Sequence, residues 1–149
     1  MSQPSPDPLP SPHYLVDYGW DEACEHAFAP HRAAGPVPAR IVRAERGLCQ
    51  AVTAIGPVRA EIPVSVGTGD PLSAPCTGDR AARRPAAGGH APVVDSVLER
   101  RTALVRSTAS RTPHGHLLAA DVDTVVGTVS KKGISRKLRG AYQFRERQL

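Results

Sequence analysis

The stretch V-P-A-R-I-V-R-A-E-R-G-L-C-Q-A-V-T-A-I-G-P-V-R-A-E-I, residues 37–62, decides the fold. Val37 to Glu45 sets Ala39 and Ile41 against Arg40 and Val42, the alternation of a half-buried strand. Arg46-Gly47 makes a tight turn into Leu48 to Ala54, and Gly56-Pro57 turns again into Val58 to Ile62. Three short strands joined by glycine turns read as an antiparallel meander.

Outward from that meander, residues 63–77 hold Gly, Pro, Ser and Thr and form a long loop. Gly78 to Arg84 occupies the place of a fourth strand, and Pro92 to Leu98 is a clear fifth. Five short strands in about 65 residues predict a mainly β domain, a small five-stranded Greek-key barrel of the OB type, over residues 14–100. Before it, Asp21 caps a short helix with Glu22 and Glu25 near its positive end, and Pro30 closes it. Trp20, Ala23, Ala27 and Phe28 are expected on one apolar face, sealing an open end of the β structure. Residues 1–13 are a proline-rich lead of disordered character.

Beyond the barrel, residues 101–117 read as a linker. Residues 118–130, with Val122, Val125, Val126 and Val129, read as an orphan strand written for a parallel α/β sheet. Residues 131–149 form a basic tail in which Ile134, Leu138, Ala141 and Tyr142 are spaced for a short helix. The tail carries a net charge of +6, whereas the other 130 residues carry 12 Arg and 13 carboxylates. The overall charge of +5 therefore belongs to the tail and does not by itself make the body a nucleic-acid binder.

Several short motifs occur in a fixed order. They are G-W-D at 19–21, F-A-P at 28–30, P-A-R-I at 38–41, C-T-G-D at 76–79, R-R-T-A-L-V-R at 100–106 and L-A-A-D-V-D-T-V at 118–125. Together they resemble the N-terminal half of the bacterial ribosome-small-subunit-dependent, circularly permuted ribosome biogenesis GTPases, over roughly residues 15–130. The resemblance implies an OB domain that docks on small-subunit ribosomal RNA, then a permuted GTPase domain, then a zinc-binding domain. GTP, Mg and Zn are the cofactors of that full-length family. The sequence departs from the pattern after Gly78-Asp79, where a Trp and an apolar strand give way to Arg80, Arg83 and Arg84, and after Ser130. The expectation is a chain truncated at the start of the GTPase domain.

These 149 residues hold no nucleotide motif. Lys131, Lys132 and Lys137 are the only lysines, and none is followed by Ser or Thr or has an Asp two places on. A phosphate loop needs the first and guanine recognition the second. No Asp has a Gly three places later. Cys24-x-His26 and His114-Gly115-His116 lack the paired spacings of structural zinc. No catalytic residue, metal ligand or cofactor is therefore assigned to the chain. Cys24, Cys49 and Cys76, odd in number and widely spaced, read as free thiols in a reducing compartment. With no apolar run long enough to span a bilayer and no signal peptide, a cytoplasmic protein without membrane or small-molecule partners is expected.

Basic residues near the binding face of such a barrel are Arg40, Arg43, Arg46, Arg59, Arg83 and Arg84, and Arg100, Arg101 and Arg106 flank the hinge. The body's aromatics, Tyr14, Tyr18, Trp20 and Phe28, all precede the barrel, so base stacking is a poor mechanism. Phosphate contact with structured RNA of the small subunit fits better. The expected function is RNA binding without GTP hydrolysis by this chain. The alternatives are a GTPase whose nucleotide domain comes from a separate chain, or a remnant without function.

Overall fold

The computed structural model describes residues 13–106, 115–125 and 142–146. The proline-rich lead up to residue 12, Val126, Val129 and most of the basic tail lie outside the described residues. Two helices, α1 (His13–Val16) and α2 (Glu22–Arg32), precede strands β1 (Val37–Glu45), β2 (Leu48–Thr53), β3 (Gly56–Glu61), β4 (Arg80–Arg84) and β5 (Val93–Val97). These five strands close into a barrel in the order β1-β2-β3-β5-β4, the OB-type arrangement expected from the meander and the two strands after it.

β1 is the spine. It pairs antiparallel with β2 along one edge and with β4 along the other. A register shift between Ile41 and Arg43 inserts Val42 as an extra residue. Such a bulge bends a strand and increases its twist, which lets one strand serve two walls of a narrow barrel. Just before the bend, the backbone of Ile41 exchanges hydrogen bonds with Gly78 (2.7 Å) and Asp79 (2.8 Å). Closure rests on one parallel Cα pair, Glu61 with Val93, and on the Glu61 amide donating to the Pro92 carbonyl at 2.8 Å.

The hydrophobic interior has two layers. Ala39, Ile41, Cys49, Ala51, Ala60, Ala81 and Val94 fill the barrel, where small side chains suit the narrow bore. Leu15, Trp20, Cys24 and Phe28 pack with Val52, Ala82 and Leu98 as a second cluster. Ala81 and Ala82 are adjacent in β4, as Ala51 and Val52 are in β2, so alternation sends one of each pair inward and the other out to the helices. The aromatics thus lie on the outer wall rather than in the bore. The same geometry explains R-A-A-R-R as a strand: β4 is buried on both sides through its first four residues, so no polar-apolar alternation develops.

Helix α2 departs from expectation twice. Asp21 caps it as predicted, accepting from the Cys24 amide at 2.9 Å. Pro30, however, lies inside the helix, which continues to Arg32. Proline removes one amide donor near the C-terminus, and the chain carries the turn on for two residues before it stops. The buried face is Trp20, Cys24 and Phe28, with Ala23 and Ala27 exposed. The spacing of four, rather than the alanine content, sets the face.

A second, three-stranded sheet follows the barrel. β6 (Thr102–Arg106) is its centre, flanked antiparallel by β7 (His116–Ala120) and β8 (Tyr142–Glu146). This corrects three expectations. Thr102–Arg106 is a strand where a linker was expected, because T-A-L-V-R has two partner edges. The strand near residue 118 starts earlier, pairs antiparallel and ends at Ala120, so it is not an orphan. Asp121 then takes a left-handed φ of 51°, which breaks the extended chain, and Val125 is exposed. Tyr142 opens a strand rather than ending a helix, because Y-Q-F-R-E alternates with a period of two.

Candidate nucleic-acid interface and the junction beside it

The nine arginines expected to bind RNA divide into two groups. Arg43 on β1, Gln50 on β2 and Arg59 on β3 are in register, so they form one row across three strands. All three are exposed. The bulge at Val42 produces this alignment, since it restores the outward phase at Arg43 after inward-facing Ile41. Arg46 is exposed in the β1–β2 turn beyond the row. The next row, Glu45, Leu48 and Glu61, brings two carboxylates to the same face, and Arg43 Nε contacts Glu45 Oε1 at 2.9 Å. Arg106 is exposed at the far end of β6.

Of the other five arginines, four hold the fold and one is buried without a partner among the described residues. Arg40 donates to the carbonyls of Tyr18 and, at 2.8 Å, Asp121. Arg84 donates to Asp95 at 2.8 Å and to the Ala34 carbonyl at 3.3 Å. Arg100 grips both oxygens of fully buried Asp79, at 2.6 and 2.7 Å. It also donates to the carbonyls of Leu72 and Ala74, which ties the 63–77 loop to the barrel. Arg101 pairs with Asp21 at 2.8 Å and reaches the Cys24 sulfur at 3.1 Å. Arg83 is buried near the end of β4.

Arg40, Arg80 and Arg101 converge on Asp121. Its Oδ1 accepts from the Arg101 amide at 2.7 Å, and its own amide donates to the Thr102 carbonyl at 2.9 Å. Arg80 Nη1 lies 2.9 Å from Oδ2, an ion contact outside hydrogen-bond geometry, so that Oδ2 accepts no hydrogen bond among the described residues. Gly78 sits under this turn with φ of +96°, and a Cβ there would lie 1.9 Å from the Ala120 carbonyl oxygen. Five of the six sequence motifs meet here: Asp21 of G-W-D, Arg40 of P-A-R-I, Gly78 and Asp79 of C-T-G-D, Arg100 and Arg101 of R-R-T-A-L-V-R, and Asp121 of L-A-A-D. Arg80 and Asp121 were missed as structural residues. The available signal was their place inside or beside those motifs.

Electrostatics follow from this packing. Hydrogen bonds from Cys24 and from Arg101 hold the Asp21 carboxyl well below the usual range. Burial pushes the thiols of Cys24 and Cys49 up, and burial with Asp79 nearby pushes Cys76 up to about 12. Burial lowers the guanidinium of Arg83, which has no compensating charge. Among the described residues no group of three or more His, Cys, Asp or Glu is placed to hold a metal ion, and no helix is long and apolar enough to cross a membrane.

Fold and surface define a small OB-type barrel with an arginine row on its meander face, joined by a buried ionic junction to a second sheet. The chain is similar to part of the small ribosomal subunit biogenesis GTPases. It is 48% identical over 116 residues to "Small ribosomal subunit biogenesis GTPase RsgA" of Streptomyces coelicolor, covering 78% of this chain and 31% of that protein. It is 44% identical over 120 residues to the protein of the same name from Streptomyces avermitilis, covering 80% and 32%. The chain thus aligns with about a third of the length of the curated relatives it matches. No protein-family model matches it, and no solved structure matches it significantly.

Proposed function

We propose that this chain is a cytoplasmic RNA-contacting module of small-subunit assembly, docking its barrel on small-subunit ribosomal RNA. The observation that carries this reading is the exposed row Arg43–Gln50–Arg59, extended by Arg46. Two arginines flanking an amide across adjacent strands suit the phosphates of a structured RNA, because each guanidinium can fork onto phosphate oxygens. The absence of aromatics on that face argues for backbone contact over base stacking. Arg106 is a second, outlying contact. Arg40, Arg84, Arg100 and Arg101 act indirectly, by holding the barrel in shape.

The test is co-sedimentation of the chain with small ribosomal subunits across a salt series. Replacing Arg43, Arg46 and Arg59 together by Ala should lower affinity at least tenfold. It should also reduce the log-log salt slope by about 2–3, roughly one unit for each phosphate no longer neutralised. Unchanged binding and slope in the triple variant would remove the barrel from RNA recognition.

GTP hydrolysis is not proposed for these residues, since they hold no phosphate-loop lysine. A second reading has this chain serve a nucleotide domain supplied by another polypeptide. It is favoured by the junction at Asp121, which fixes the direction of the chain as it leaves the barrel. Saturable binding of a labelled GTP analogue to the isolated chain would contradict both readings.

A further inference from the structure

A cavity of about 760 Å³ lies where α1 and the start of α2 meet the barrel end formed by the first residues of β1, the β2–β3 turn and the end of β4. Its wall is mostly apolar, with Leu15, Val16, Trp20, Pro38 and Ile55 among the lining residues, and Arg83 is its distinctive polar group. Arg83 is only 6% exposed, and its Nε has no hydrogen-bond partner among the described residues. None of the ion pairs among those residues includes it.

The other charges at this cavity are accounted for differently. Glu25 accepts from Trp20 and Arg32, Asp21 is held by Arg101, and Glu22 is exposed on the first turn of α2. A guanidinium keeps its charge at any physiological pH, and burying it without an acceptor is costly. A cavity of this size, mostly apolar and with one buried, unpaired cation in its lining, has the make-up of a small-molecule site.

We propose that the cavity binds an amphiphilic carboxylate, its carboxylate forked onto Arg83 and its aliphatic or aromatic body against Leu15, Trp20 and Ile55. The site is separate from the arginine row on the meander face, so it stands or falls independently of the RNA reading.

The experiment uses the full chain with sodium decanoate as probe and 1-decanol as its uncharged counterpart. Side-chain Nε–H resonances of arginine and thermal melting are recorded for the wild type, Arg83→Lys and Arg83→Met. Decanoate should shift the Arg83 Nε–H signal saturably and raise Tm, and decanol should bind at least tenfold more weakly. Arg83→Lys should keep charge but lose the fork, weakening decanoate about tenfold. Arg83→Met should melt higher than wild type when ligand-free and lose the preference for decanoate. Equal binding of decanol, a decanoate response that survives in Arg83→Met, or no saturable shift in the wild type would overturn the proposal. If Arg83→Met does not fold, the wild-type comparison of decanoate with decanol decides.

Discussion

Arg80 and Asp121 lie 41 positions apart in the chain and meet at 2.9 Å, with side chains 7% and 0% exposed. Their contact joins β4 of the barrel to the residue that follows β7. Removing one partner leaves the other as an uncompensated buried charge, at a cost of about 3–5 kcal/mol. Arg80→Met and Asp121→Leu should each lower the urea midpoint sharply. The double variant should recover much of the loss, because it buries neither charge.

Gly78→Ala tests the same junction by shape alone. The new methyl would meet the Ala120 carbonyl oxygen at 1.9 Å, and φ of +96° is already unfavourable for Ala. Either the variant loses more than about 2 kcal/mol, or β7 is displaced from the barrel. Amide exchange separates these outcomes: displacement would deprotect the Ala120 amide, which donates to the Thr77 carbonyl.

Acid sensitivity should trace in part to Asp21. Its carboxyl is held lower in the folded chain than in the unfolded one, so folding favours the ionised form. That stabilisation is full above about pH 4, where the unfolded chain also ionises, and is lost as pH falls through the folded value. The group is half exposed, so the effect is modest. Asp21→Asn should show a smaller drop in stability between pH 6 and pH 2 than wild type, as read from urea midpoints.

All three cysteines are buried, and each thiol is pushed above its ordinary value. The thiolate is the reactive species, so little of it forms near neutral pH. A thiol reagent at pH 8 should label all three promptly in denaturant and none promptly in the native chain. Fast native labelling of Cys24 would show that the contact with Arg101 is not maintained.

The barrel was legible because each of its signals is local. Val37–Glu45 alternates, Gly47 and Gly56 turn the chain, and Asp21 caps a helix. The second sheet was misread because its logic is not local. Val122 and Val125 look like strand residues, but Asp121 turns the backbone before them, and what holds that turn comes from Arg80, Arg101 and Thr102 far away in sequence. The arginines were misassigned for a related reason. Arg43 and Arg100 are indistinguishable in sequence, yet one faces solvent and the other grips buried Asp79. What separates a surface cation from an internal tie is the partner that the fold brings to it.

The barrel's closure has a mechanical meaning. β1 is zipped on both edges, whereas β3 and β5 touch at one Cα pair. The wall is therefore a ring with a seam, and the seam lies away from the helices that pack against β1, β2 and β4. The seam is the joint with the fewest pairings in the ring. Opening it would break one parallel pairing and one backbone hydrogen bond, and would also expose the apolar interior that Ala60 and Val94 share across it.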